Sequence, residues 1–162
     1  MWLPDRRLFL LSALALGACG YEPVYAPGGS GNALTGQIEV AAPDTRNGFD
    51  LVRQLETRLG QPQSPRYALR YTIDVDQDEL GIAPTQEITR YNLVGQVSFT
   101  VTEISTGIIA TSGRVDNFTA YSATGTTLST QTARRDAHSR LMLILADQIT
   151  ARLLATSSDW AG

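Results

Sequence analysis

The stretch Tyr67-Ala68-Leu69-Arg70-Tyr71-Thr72-Ile73-Asp74-Val75-Asp76 decides the fold. Its large apolar residues stand at every second position, the period of a strand with one buried face. Two similar runs follow. In the second, Tyr91, Leu93, Val97, Phe99 and Val101 alternate with Asn92, Gln96, Ser98, Thr100 and Thr102. A turn region around Gly81 to Gln86 separates it from the first run, and Ser105-Thr106-Gly107 is a hairpin signal before the third. The third run, Ile108 to Tyr121, has Ile109 and Val115 on one parity and Phe118 on the other, which predicts a bulge. Short connections make the three an antiparallel meander.

Upstream, Gly36 to Ala42 alternates and predicts a short strand, stopped by Pro43-Asp44-Thr45. From Asn47 the period lengthens. Phe49, Val52, Leu55 and Leu59 recur at three- and four-residue steps, an amphipathic helix ending at Gly60 with Pro62 and Pro65 beyond it. Downstream, Ala120 to Thr132 is rich in Ser and Thr and reads as a loop with a Ser or Thr N-cap near its end. Its part from Tyr121 to Thr132 is either mobile or a polar contact surface that orders against a partner. A long helix runs from Ala133 to about Ala155, with Ala137, Leu141, Ile144, Leu145, Gln148 and Ile149 on a broad stripe widened by Met142, Leu143, Leu153 and Leu154. The expected class is α+β, in the order strand, helix, three antiparallel strands, helix. Both helices bury their stripes best on one face of a four-stranded sheet. The other face, carrying Arg70, Arg90 and Arg114, is left exposed or meets a partner.

The inventory of reactive groups is thin. The 162 residues hold one Cys, one His and no Lys, and all 13 basic residues are Arg against 16 acidic ones, for a net charge of −3. This excludes disulfide scaffolds, zinc fingers and lysine-based mechanisms. A mildly acidic chain without a basic run is also no general nucleic-acid binder. Asp74, Asp76 and Asp78 invite a calcium loop, but that spacing needs Gly at 79 and Glu at 85, where Glu79 and Thr85 stand. Asp136, His138 and Ser139 lie within four residues of one helix and cannot converge as a catalytic relay. No catalytic residue, metal ligand or cofactor site is assigned. Arg70, Arg90 and Arg114 share the polar parity of three successive strands, and as planar donors would suit a phosphate bidentately. The alternative is three solvated arginines paired with Asp74, Asp76 or Asp116.

The N-terminus reads as an address. Arg6-Arg7 precede the nine-residue run Leu8 to Leu16, too short to span a membrane and right for a secretory signal. Arg6-Arg7-Leu8-Phe9-Leu10 also looks like a twin-arginine signal, although nothing downstream calls for export in the folded state, so an ordinary positive n-region is preferred. Residues 1–18 are thus the signal and 19–35, with Pro23, Pro27, Gly28, Gly29 and Gly31, a tether. Residues 36–162 form a single α+β domain. Without the signal, 144 residues remain, enough to bury roughly 68% of the unfolded surface with no staple.

Leu16-Gly17-Ala18-Cys19 resembles the lipobox of bacterial lipoproteins, in which the Cys thiol takes a diacylglycerol and the signal is cut before it. The opening Cys19-Gly20-Tyr21-Glu22-Pro23-Val24-Tyr25 resembles that of the LptE family of lipopolysaccharide-assembly lipoproteins. The blocks Pro43 to Arg53, Ile88 to Leu93, Tyr121 to Thr126 and Leu141 to Ile149 are similar to those of alphaproteobacterial members. The resemblance implies a lipid anchor at Cys19 and an outer-membrane location on the periplasmic side. It also implies a place as plug in the lumen of the LptD β-barrel, help in assembling that barrel, and binding of lipopolysaccharide during its delivery to the surface, with no catalysis and no cofactor. Gly20 stands where Asp would signal inner-membrane retention in enteric bacteria, which agrees with that location. The competing readings are a lipoprotein module of another envelope assembly or transport complex and a hydrolase dependent on His138.

Overall fold

Thr45 opens the first helix. Its backbone is extended and its hydroxyl accepts a hydrogen bond from the Gly48 amide at 3.1 Å, satisfying one of the donors a helix start leaves free. At the other end Gly60 adopts φ 77°, a conformation that side-chain-bearing residues resist, and the chain turns away. These local choices are set in a computed structural model that describes residues 34–82 and 88–161, apart from the side chains of residues 81, 82 and 88.

The elements are β1 (Ile38–Val40), α1 (Arg46–Leu59), β2 (Tyr67–Ile82), β3 (Ile88–Glu103), β4 (Ile109–Ser122), α2 (Thr127–Ala155) and a short α3 (Ser157–Trp160). The four strands form one sheet in the order β1-β2-β3-β4. Strand β1 pairs parallel with the start of β2, Ile38 opposite Tyr67, while β2, β3 and β4 form the expected antiparallel meander. Two main helices pack on one face, the α+β arrangement read from the alternation.

The register assigns the faces. Tyr67, Leu69, Tyr71, Ile73 and Val75 of β2 lie opposite Glu103, Val101, Phe99, Val97 and Gly95 of β3, and the last four of these lie opposite Thr111, Gly113, Val115 and Asn117 of β4. This inner face meets Leu51, Leu55 and Leu59 of α1 and Ala137, Leu141, Met142, Leu145, Ala146, Ile149 and Leu153 of α2. Gly95 is where helix and sheet come closest: a methyl group there would lie 2.7 Å from Leu141 Cδ2 and 3.2 Å from Leu145 Cδ1. The buried Thr150 satisfies its hydroxyl within the helix, donating to the Ala146 carbonyl at 2.9 Å. At the base of the sheet Tyr67 meets Trp160 of α3 edge-on at 5.2 Å. Along β2 burial fades from Leu69 to the exposed Gln77 and Glu79, while Leu93 of β3 and Tyr121 of β4 stay in the core beside them.

Four expectations are corrected. Phe49 is 60% exposed, because Gly48, Leu51, Val52 and Leu55 face inward and Phe49 falls on the flank of that stripe. Phe118 marks no bulge: β4 pairs without a shift from Thr111 to Ser122, and Phe118 sits on the outer face opposite Val94. The one irregularity in that ladder lies at Ala110, between Ile109 and Thr111. Helix α2 starts at Thr127, six residues before Ala133, capped by Thr126, whose hydroxyl accepts from the Ser129 amide. Its first buried residue is Ala137, so no apolar period announces the first turns. Leu34, which the glycine-rich composition leaves in the tether, is 1% exposed and belongs to the core. Residues 83–87 of the expected turn, and the signal, lie outside the described residues.

Candidate functional site: the uncovered sheet face

Because both helices occupy the inner face, the opposite face is left without a covering element among the described residues. Its side chains are the alternate set: Thr72, Asp74, Asp76 and Asp78 on β2, Gln96, Ser98 and Thr100 on β3, Ser112 and Asp116 on β4. Val94 and Phe118, directly opposite each other and 39% and 65% exposed, are the large apolar pair on this surface. A face of this kind is soluble yet rich in groups able to hydrogen-bond a polar wall.

Arg70, Arg90 and Arg114 all lie on this face and all are exposed. Arg70 shares a row with Thr100 and Ser112, and Arg114 shares the next row with Ser98 and Thr72. Two strands at about 4.8 Å and two residues at about 3.3 Å put their Cα atoms on the order of 12 Å apart, within reach of one ligand for two arginines. Arg90 is elsewhere. It pairs with Ser122, eight residues along β3 from Ser98, roughly 27 Å away. There it lines a concavity of about 340 Å³ with Thr89, Tyr121, Ser122 and Thr124. The parity is thus common to all three, while the register brings only two of them together. None forms an ion pair with Asp74, Asp76 or Asp116; the five ion pairs among the described residues involve Arg46, Arg53, Arg58, Arg66 and Arg140.

Alternation could not have shown the surroundings of Arg90. Tyr91 and Tyr121, brought opposite by the register, stack at 5.2 Å with an 18° interplanar angle. The Tyr121 hydroxyl donates to Gln77 Oε1 at 3.2 Å, and burial raises its pKa above the ordinary phenolic value. This stiffens the end of the sheet where the β4–α2 connection begins, the first part of the segment read as a loop or contact surface.

Side chains occupy three backbone groups along β4. Arg152 Nη1 donates to the Arg114 carbonyl at 3.2 Å, Arg140 Nη2 donates to the Ala120 carbonyl at 3.4 Å, and Asn117 Oδ1 accepts from the Phe118 amide at 2.8 Å. Occupied edge groups offer less of a template to an added strand.

The other motifs resolve as local structure. Asp136 pairs with Arg140 one turn on, and His138 Nδ1 is shut from solvent without a partner, so Asp136, His138 and Ser139 make no relay. Burial, with the Arg134 charge nearby, lowers the His138 pKa and leaves the ring neutral at neutral pH. Asp74, Asp76 and Asp78 are exposed along a strand, and among the described residues no group of three His, Cys, Asp or Glu is placed to hold a metal ion. Cys19 lies outside the described residues.

The fold is shared with solved lipoprotein structures. A Caulobacter crescentus CB15 protein assigned as a lipoprotein superposes with a TM-score of 0.66 at 21% identity, over 80% of this chain and 95% of that one. The rare lipoprotein B of Shewanella oneidensis gives 0.58 at 15% identity, over 75% and 95%. A minor lipoprotein of Acinetobacter baumannii gives 0.56 at 21%, over 76% and 94%. No curated protein matches the sequence. The model of one family, LptE, described as lipopolysaccharide-assembly, matches residues 35–153, from just before β1 almost to the end of α2. By that match across most of its length, the chain belongs to the LptE family of lipopolysaccharide-assembly proteins.

Proposed function

We propose that the protein is an outer-membrane lipoprotein, held on the periplasmic side by lipid on Cys19, that plugs and helps assemble an LptD-type β-barrel and binds lipopolysaccharide during its delivery to the cell surface. The observation that carries this reading is the family match over residues 35–153. The uncovered face supports it physically. A large barrel has a polar interior, and a rigid sheet presenting Ser, Thr, Gln, Asp and Arg can satisfy such a wall where an apolar surface could not. The same face provides for lipopolysaccharide: Arg70 and Arg114 are close enough to grip one phosphorylated headgroup, and Arg90 forms a separate contact at the far end. The role is binding and assembly, with no catalytic step.

Purified protein is expected to bind lipopolysaccharide directly, and a variant with Arg70, Arg90 and Arg114 replaced by Glu to bind it at least tenfold more weakly while melting as the wild type does. The three side chains are exposed and make no ion pair among the described residues, so the substitution breaks no ion pair there. Surface titration with fluorescent lipopolysaccharide reads both. Absence of binding by the wild-type protein would remove the ligand from the reading, and an unchanged affinity of the variant would return these arginines to the role of solvated strand residues.

A further inference from the structure

A concentration of positive charge lies on the helical side of the molecule, away from the sheet face. The first turns of α1 and the N-terminal half of α2 diverge around an open cleft of about 680 Å³, with Arg46, Asn47 and Asp50 on one wall and Arg134, Arg135 and His138 on the other. Three guanidinium groups face one carboxylate there, a local excess of 3 − 1 = +2 in a chain whose net charge is −3. The carboxylate is already engaged: Asp50 is approached by Arg46 at 3.8 Å and by Arg53 at 3.4 Å. Arg134 and Arg135 have no hydrogen-bond or ion-pair partner among the described residues. His138, neutral at neutral pH, adds no charge of its own.

Placing three cations around one concavity carries a repulsion that a ligand would relieve. An uncompensated charge of two matches a phosphate monoester, which carries about −1.5 to −2 at neutral pH and offers oxygens in the geometry guanidinium forks prefer. At about 680 Å³ the cleft falls within the size range of small-ligand sites. We infer that this inter-helix cleft is a phosphate site, separate from the arginines of the sheet face, that takes the phosphate monoester of a sugar through Arg134 and Arg135 on α2 and Arg46 on α1. Such a group occurs both on free sugar phosphates and on the headgroup of a phosphorylated glycolipid. Only the second source rests on the lipopolysaccharide reading.

The test uses the full acylated chain in detergent, titrated calorimetrically with glucose 1-phosphate, with diphosphorylated lipid A and with chemically dephosphorylated lipid A. The double variant Arg134→Gln, Arg135→Gln is expected to lose at least tenfold in affinity for the phosphorylated probes and to keep the wild-type melting temperature. Binding of glucose 1-phosphate by the wild-type protein assigns the site to soluble sugar phosphates as well, whereas binding of diphosphorylated lipid A alone assigns it to the lipid headgroup. An unchanged affinity of the variant overturns the inference, as does an equal loss on dephosphorylated lipid A. If the cleft variant binds normally and the Arg70, Arg90, Arg114 glutamate variant does not, the cleft site fails while lipopolysaccharide binding stands.

Discussion

Replacing Leu141 by alanine is expected to destabilise the domain by about 2–5 kcal/mol, the range for a fully buried leucine whose surroundings cannot close over the gap. Leu141 is 0% exposed and lies against the backbone of Gly95 in the middle of β3, so the cavity would open where helix and sheet come closest. The converse change, Gly95→Ala, overfills the same spot. Its methyl group would sit 2.7 Å from Leu141 Cδ2 and 3.1 Å from Leu141 Cγ, and relieving that contact costs about 1–3 kcal/mol. Two faults at one contact partly cancel, so the double variant is expected to be less destabilised than the sum of the singles, by about 0.5–3 kcal/mol. Urea unfolding of the non-acylated Cys19→Ser protein measures all three, with Leu143→Ala as a control expected to change little, because Leu143, expected on the apolar stripe, is 39% exposed on the solvent side of the helix. Strict additivity would show that Leu141 does not rest on Gly95 and that α2 is placed differently over the sheet.

Cys19→Ser is expected to move the protein quantitatively from the membrane to the soluble periplasmic fraction and to abolish incorporation of labelled palmitate. The single thiol of the chain is the attachment point that the lipobox reading requires. One acyl chain gives only marginal binding, but two or three, at about 0.8 kcal/mol for each buried methylene, hold a protein stably. No described helix is long and apolar enough to cross a membrane. Fractionation after osmotic shock together with palmitate labelling reads the result. A variant that still incorporates palmitate would place the lipid elsewhere and contradict the lipobox reading.

What could be read in advance follows physical range. The alternation in Tyr67–Val75 and in Tyr91–Val101, and the stripe in α2, are local consequences of burying one face, so element order and class were legible. The six residues at the start of α2 were not, because Thr127–Thr132 carries only Leu128 as a large apolar residue and that leucine is 76% exposed. Phe49 and Phe118 misled for a related reason: each is an apolar residue on a surface, where periodicity has nothing to report. Parity likewise placed Arg70, Arg90 and Arg114 on one face, but only the register separates Arg90 from the other two. The cleft was out of reach, since Arg46 and Arg134 are 88 positions apart (134 − 46) and meet only through the packing of α1 on α2.

The central claim is that this chain works inside a β-barrel partner. The measurement that tests it most directly is affinity purification of the C-terminally tagged protein from detergent-solubilised outer membranes, with mass spectrometry and quantification of the eluate. The account predicts one large β-barrel of the LptD type in near-stoichiometric amount. Recovery of the acylated protein alone, or with an inner-membrane complex in place of a barrel, would contradict it.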